Sequence, residues 1–179
     1  MVIDDILNSL QFLPEAPETS LLYVGYYDSV WVAISVLIAI FASLTTLYVA
    51  EQIGQTPSRG IRMAWLGIGA VSMGGGIWAM HFIGILAFSL PCAVSYDPGI
   101  TLASAVPGIL ASVVAIWVIS RPARHLIQLL FGSLLFGAGI GAMHYSGMAA
   151  MRLDGLVRYD PTLFALSMLI AVVLAFLAL

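Results

Sequence analysis

The sequence contains no lysine and little charge of any kind. Charged residues make up 8% of its 179 residues and hydrophobic residues 61%, and the mean hydropathy is +1.06. A soluble domain of this size needs a far more polar surface. The formal net charge of -3 also lacks the basic footprint of a nucleic-acid-binding protein. We therefore predict an integral membrane protein that has lipid as a partner and no nucleic acid.

Cysteine and catalytic motifs are equally scarce. Cys92 is the single cysteine, so no intrachain disulfide can form and the redox compartment cannot be inferred. No nucleophile–base pair or phosphate-binding loop is present, since the glycines of MGGGIW (73–78) lie inside an apolar run. We predict that the chain is not an enzyme. Residues 1–28 are interrupted by Asp4, Asp5, Glu15 and Glu18, which makes them too polar for a signal peptide, and they are expected to form an external segment.

Five charge-poor stretches are long enough to cross a membrane, which takes about 20 apolar residues. No strand-like alternation of polarity occurs in them, so they are predicted to be helices. The predicted fold is therefore all-α: a polytopic transmembrane helical bundle that occupies residues 29–179. The predicted spans are 29–50, 63–88, 99–120, 126–151 and 161–179.

The arginines predict the orientation of the bundle. The first connection contains Arg59 and Arg62, and the third contains Arg121 and Arg124. The second has no basic residue, and in the fourth two arginines are offset by two aspartates. The positive-inside rule therefore places the first and third connections in the cytoplasm and the N-terminus outside.

The chain also repeats itself at an offset of 63 residues. MGGGIWAMHFIGILAF (73–88) aligns with FGAGIGAMHYSGMAAM (136–151), and Tyr96-Asp97-Pro98 recurs as Tyr159-Asp160-Pro161. Tyr27-Asp28 opens an earlier copy. The unit is thus a hairpin of a Tyr-Asp helix and a Met-His helix, with two whole units and the first helix of a third.

The Tyr-Asp positions have a structural explanation. Aspartate is a favoured N-cap and proline suits the first helical position. A serine follows each tyrosine by eight residues, at Ser35, Ser104 and Ser167. Such hydroxyls are expected to bond carbonyls one turn back in their own helix.

The Met-His positions are harder to explain by packing. His81 and His144 each lie seven residues before the outer end of their helix, or about 10 Å below the boundary. Two histidines at one depth on repeat-related helices can converge, and ionisable groups in lipid usually have a function. The alternative is that they bond each other, or nearby hydroxyls, as bundle contacts.

Helical spacing indicates which possible metal ligands lie on the same helix face as the histidines. His144 shares its face with Met148 at i+4, whereas the matching partner of His81 is Ile85. Met80 and Met143 lie on glycine-flanked stripes and either bind a metal or pack in helix crossings. Imidazole with thioether favours Cu(I), and no carboxylate lies at this depth. Cu(I) can bind oxygen, carbon monoxide or nitric oxide.

These motifs resemble the MHYT domain, a bacterial integral membrane sensor. The similarity runs from about Tyr27 to the C-terminus and includes GGGIWAMHFIGILAF, LPCAVSYDP and GAGIGAMHYSGMAAM. It implies a copper site near the outer face of the bacterial inner membrane, sensing of a diatomic gas or redox state, and a cytoplasmic signalling output such as cyclic-di-GMP turnover. The family motif carries over to Met143, His144 and Tyr145, with Tyr145 beside the metal, and to Met80 and His81.

The sequence departs from the family motif in the first copy. Phe82 and Ile83 stand in place of Tyr and Thr, Ile85 replaces the following Met, and Ser146 replaces Thr in the second copy. The family has seven spans and a third Met-His helix, so this chain is expected to stop before its last hairpin.

Three functions remain compatible with the sequence. The first is a copper-dependent sensor with the candidate ligands Met80, His81, Met143, His144 and Met148. The second is a haem-binding electron carrier, because two histidines on separate helices can be axial ligands. The third is a membrane scaffold whose Met-His pairs only pack.

Overall fold

The computed structural model describes Phe12 and residues 24–121, 125–153 and 157–179. Most of the predicted external segment 1–28 lies outside these residues, as do Arg124 and Asp154 of the connections. The described chain is dominated by helices long and apolar enough to cross a membrane. This confirms the predicted class of an all-α transmembrane bundle.

The five predicted spans are confirmed within the described residues. The second helix begins four residues before its predicted limit, because it continues through Arg59 and Arg62. The charged residues therefore mark the limit of the apolar segment, and the helix itself extends beyond that limit. The helices are α1 (Ser29–Gln55), α2 (Arg59–Leu86), α3 (Pro98–Ala103), α4 (Ala105–Ile119), α5 (Leu126–Ala149) and α6 (Pro161–Ala178).

The third span is broken where the sequence predicted one helix. Ser104 ends α3 and begins α4. Pro107 explains the break, because it has no N–H and its ring clashes with the carbonyl four residues earlier, that of Ala103. Near this break, the carbonyl of Thr101 accepts hydrogen bonds from the indole of Trp78 at 3.1 Å and from the Ser104 hydroxyl at 2.7 Å.

Two small antiparallel strand pairs join the helix ends at one end of the bundle, which we call the strand end. Strand β1 (Tyr26–Tyr27) pairs with β2 (Phe88–Ser89), and β3 (Val94–Tyr96) pairs with β4 (Met151–Leu153). The N–H of Asp28 donates to the Ala87 carbonyl at 2.8 Å, and the N–H of Asp97 donates to the Ala150 carbonyl at 2.8 Å. The sequence repeat is therefore also a repeat of the backbone hydrogen bonds.

The aspartates of the repeat are N-caps, as predicted. Asp28, Asp97 and Asp160 each accept from two backbone N–H groups of the following helix. The serine prediction is correct for Ser104 and Ser167, which donate to carbonyls three residues back. It is wrong for Ser35, whose hydroxyl crosses to α2 and donates to the Met80 carbonyl at 2.7 Å.

Helix α4 forms the centre of the described bundle, since it packs against α1, α2 and α5. The span Pro98–Ile119 is 39% buried in its most apolar part, against 6% for the first and last spans, which are therefore the least covered by the described helices. Small residues allow this close packing. A Cβ at Gly76 would overlap Ala42 of α1, and a Cβ at Gly139 would overlap Ala111 of α4.

Candidate metal site

The two histidines of the repeat meet near the strand end. The ring of His81 on α2 and that of His144 on α5 have centroids 4.8 Å apart, with 61° between the ring planes. A Cβ at Gly147 would lie 3.5 Å from Nε2 of His81, so this glycine lets the imidazole lie against α5. The convergence predicted from the repeat is confirmed.

One nitrogen of this pair lacks a partner. Nε2 of His81 is buried and makes no hydrogen bond with any residue that the structure describes. Buried polar atoms in proteins are nearly always hydrogen-bonded or bound to something else. A metal ion bound to Nε2 would give this buried nitrogen a partner. The histidine therefore fits the copper that the family resemblance implies.

A cavity of about 590 Å³ adjoins both rings. It contains the imidazoles of His81 and His144 together with thioethers from Met80 and Met148. Ile85 lines it too, where the second copy has a thioether, and no carboxylate does among the described residues. The cavity thus brings together four of the five predicted ligands, and their imidazole and thioether donors are the chemistry that Cu(I) prefers, beside the hydroxyls of Tyr27 and Ser35.

Met143, the fifth predicted ligand, lies apart from this cavity. Its side chain is 2% exposed and packs on α4, where a Cβ at Gly108 would lie 3.2 Å from its sulfur. Met143 instead lines a second cavity of about 220 Å³, which also reaches Met80 and the two histidines. Its sulfur packs beside Gly108, while its side chain also borders the histidines through the second cavity, so its role as a metal ligand stays a prediction.

Tyr145, the predicted neighbour of the metal, faces the last span. Its hydroxyl is 2.7 Å from that of Ser167 on α6. Its ring stands edge-on to His144, with centroids 4.8 Å apart. The phenol therefore positions the imidazole by contact and is itself held by α6.

Two contributors were missed by sequence reasoning. Met151 lines the larger cavity from β4, beyond the end of α5, so a helical i+4 rule could not find it. Ser35 fixes the backbone of Met80 through the hydrogen bond from α1. The recurrence of methionine in MAAM (148–151) was the available signal for Met151.

The groups around the strand end are held neutral or paired. Burial raises the pKa of Tyr96, and burial together with the nearby Tyr145 raises the pKa of Tyr159, so both phenols stay protonated. Hydrogen bonds from the Ile100 N–H and from Arg152, at 3.2 Å, lower the pKa of Asp97. An acidic residue is thus paired at the surface and does not compete for a soft metal.

The sequence also matches a known family. Residues 74–132 and 137–179, more than half of the chain, match the profile of the MHYT family, described as a bacterial signalling protein N-terminal repeat. The chain belongs to the MHYT family. The two matched segments contain Met80-His81 and Met143-His144, the pairs that the fold brings together.

Three curated MHYT relatives are signalling proteins. The chain is 43% identical over 150 residues to the bifunctional diguanylate cyclase/cyclic di-GMP phosphodiesterase MucR of Pseudomonas aeruginosa. It is 42% identical over 173 residues to the cyclic di-GMP phosphodiesterase NbdA of the same organism, and 33% identical over 154 residues to the signaling protein YkoW of Bacillus subtilis.

The similarity covers most of this chain and a small part of each relative. It spans 84%, 96% and 86% of the MHYT chain, but 22%, 22% and 19% of MucR, NbdA and YkoW. No solved structure matches the sequence. The enzymatic activities named for the relatives therefore belong to proteins about five times longer than the aligned segment.

Proposed function

We propose that this MHYT chain is the membrane sensor domain of a cyclic di-GMP signalling protein and binds Cu(I) between His81 and His144. The relatives named for cyclic di-GMP turnover support the signalling context. The observation that carries the copper proposal is the contact of the two imidazoles, with the buried Nε2 of His81 lacking a partner among the described residues.

The donor set supports Cu(I) among the metals. His81, His144 and the thioethers of Met80 and Met148 would hold the ion, with Met151 as a further sulfur at the cavity wall. When bound, Cu(I) would supply a binding site for oxygen, carbon monoxide or nitric oxide. The apolar residues of the cavity would admit a small apolar gas from the membrane.

The ring spacing supports copper over haem. Nitrogen–metal distances of about 2 Å bring two neighbouring imidazole ligands of one ion to roughly 5 Å between ring centres. Axial haem ligands lie on opposite sides of the porphyrin, which separates their ring centres by roughly 6 Å or more. The observed 4.8 Å leaves no room for a porphyrin between the two rings.

The arginines support an orientation with the copper site near the outer face of the bacterial inner membrane. Arg59, Arg62 and Arg121 lie at the end of the bundle away from the histidines. Reporter fusions at Thr56 and at Ala93 should then indicate cytoplasm and exterior, respectively. The reverse pattern would remove the case for sensing an external gas or metal.

Helix α2 provides a physical route for the signal. It contains His81 near one end, begins at Arg59, and is continuous between them. A change in the position of the His81 ring would move a rigid element that reaches the opposite face. A signalling domain attached there, in the same protein or in a partner, would receive that displacement.

Copper binding is tested by Cu(I) affinity in detergent, measured by competition with a chromophoric chelator from metal-free protein. His81→Ala and His144→Ala should each weaken binding at least tenfold, a loss of about 1.4 kcal/mol. His125→Ala is the matched control, because His125 precedes α5 at the opposite end of that helix and should leave affinity unchanged.

Other outcomes separate the remaining functions. Unchanged affinity in both site variants would refute the copper site. Lower thermal stability of the variants, with no metal bound by the wild type, would support a scaffold with structural histidines. A Soret band in the absorption spectrum of the purified protein would support the haem carrier.

A further inference from the structure

Another cavity, separate from the two at the histidines, lies at the opposite end of the bundle. It measures about 330 Å³ and is lined by the guanidinium-bearing residues Arg59, Arg62 and Arg121. Arg59 opens α2, and His81 follows 22 residues later, so this cavity lies roughly 33 Å from the histidines. The copper proposal uses these three arginines only to orient the chain and assigns no ligand to them.

Their charge is uncompensated within the described part of the chain. Neither Arg59, Arg62 nor Arg121 forms an ion pair with a described carboxylate, and the nearby Glu51 accepts a hydrogen bond from Gln55 at 2.9 Å. Two of the arginines occupy the first turn of α2, where the helix dipole is already positive. An anion in the cavity would offset both sources of positive charge.

The remaining wall is shaped for a ligand with polar and apolar parts. The guanidinium of Arg121 is held 4.2 Å from the ring centre of Trp117. The hydroxyl of Ser120 is buried and has no hydrogen-bond partner among the described residues. Ile53, Met63 and Leu66 supply an apolar side. Three guanidinium groups and a hydroxyl beside an apolar surface suit a phosphate group attached to a hydrocarbon chain.

We propose that this arginine cavity binds a phosphate-bearing anion, with Arg59, Arg62 and Arg121 around the phosphate oxygens and Ser120 as a further donor. The phosphate can come from an anionic phospholipid headgroup or from a free phosphate compound at the membrane surface. Basic cavities between transmembrane helices bind lipid headgroups in this way. The proposal is independent of the copper site and of the orientation of the chain.

The test compares ligands on the 179-residue chain purified in detergent. Binding of phosphatidylglycerol, phosphatidylcholine, oleate and pyrophosphate is measured by native mass spectrometry and by the shift in Tm. Phosphatidylglycerol should bind and raise Tm, whereas zwitterionic phosphatidylcholine and oleate, an anion without phosphate, should do so weakly. A Tm rise with pyrophosphate alone would identify a free phosphate compound as the ligand and retain the phosphate chemistry.

Variants assign the binding to the cavity. Arg62→Gln and Arg121→Gln should each lower affinity about fivefold, since a basic residue near an anionic surface contributes about 1 kcal/mol. Arg152→Gln is the matched control, because that arginine pairs with Asp97 at the strand end. Equal binding by all three variants, or no preference for phosphate ligands over oleate, would overturn the proposal.

Discussion

The two Met-His helices share one backbone design and differ in the side chains around the copper cavity. The carbonyls of Ala87 and Ala150, at the ends of α2 and α5, each accept a 2.8 Å hydrogen bond from the aspartate that opens the other helix of the hairpin. Gly76 and Gly139 lie at matching crossings against alanines of the preceding span. The two copies therefore present their histidines from nearly equivalent positions.

The side chains next to the histidines have diverged. Phe82 of the first copy is buried at 9% exposure, whereas Tyr145 of the second donates to or accepts from Ser167 of α6. Ile85 lines the cavity where the second copy places Met148. The comparison shows that the repeat fixes the position of a side chain but not its chemistry. The second copy accordingly contributes more donors to the site.

The largest expected effect comes from substitutions that disrupt the close helix packing shared by the two copies. Gly76→Ala and Gly139→Ala would each force a Cβ into an alanine of the neighbouring helix and should destabilise the fold by about 1–3 kcal/mol. Gly75→Ala is the control, because no neighbouring atom lies within 4 Å of the point that its Cβ would occupy and alanine favours helix. Unfolding in mixed detergent measures the difference, and equal stability of Gly76→Ala and Gly75→Ala would contradict it.

The next effect concerns Cu(I) affinity and the difference between Met148 and Ile85 as possible ligands. Met148→Leu conserves volume, so stability should change little, but Cu(I) affinity should fall roughly tenfold because a soft ligand is lost. Ile85→Met should raise affinity by adding a thioether on the same cavity wall. The chelator competition described above measures both. If both variants bind Cu(I) with the affinity of the wild type, neither position contacts the metal.

The methionines before the histidines extend this prediction. Met80 lines the larger cavity, whereas Met143 packs on Gly108. Met80→Leu should therefore weaken copper binding more than Met143→Leu, and Met143→Leu should affect mainly stability. The opposite ranking would show that the sulfur of Met143 turns toward the metal.

A smaller effect concerns the tyrosine of the second copy. Tyr145→Phe removes the hydrogen bond to Ser167 and should destabilise the fold by about 0.6 kcal/mol, typical of such bonds between membrane helices. A double-mutant cycle with Ser167→Ala isolates this bond. The converse change, Phe82→Tyr, has a larger expected effect of about 1–3 kcal/mol, because its new hydroxyl would be buried without a partner. A stabilised Phe82→Tyr would reveal an acceptor near the first copy.

The smallest effect is at the surface of the strand end. Arg152 bonds Asp97, whereas the matching position of the first copy is Ser89. Because the pKa of Asp97 is lowered in the folded chain, its contribution is present above the ordinary aspartate pKa and is lost as pH falls through the lowered value. Arg152→Gln should reduce Tm slightly at neutral pH, with the difference from wild type disappearing in acid. A difference that persists in acid would require another role for Arg152.

The features predicted from sequence have strong local or periodic signals. Uninterrupted apolar length identified every span, and aspartate before proline identified the starts of α3 and α6. The meeting of His81 and His144 followed from their equal depth on repeated helices. These inferences needed no knowledge of how the helices cross.

The missed features depend on crossing geometry or on single residues. Strands of two or three residues are too short to show a pattern. The break at Ser104 depends on Pro107 alone, inside a run that is apolar on both sides. Ser35 had an acceptor in its own helix, and only the approach of α2 decided that its hydroxyl bonds Met80. The position of Met143 likewise depends on the space that Gly108 provides.

The strand pairs also set an order for membrane insertion. Each pair joins segments about sixty residues apart, Tyr27 with Phe88 and then Tyr96 with Met151, so each closes only after both helices of a hairpin are in place. Synthesis proceeds from the N-terminus, and the first pair can close before His144 has been made. His81 would then enter the bilayer without its partner, and the second hairpin would complete the site as it docks. Assembly of the copper cavity is thus expected to be a late step of biogenesis, because it must wait until the second hairpin has been synthesised.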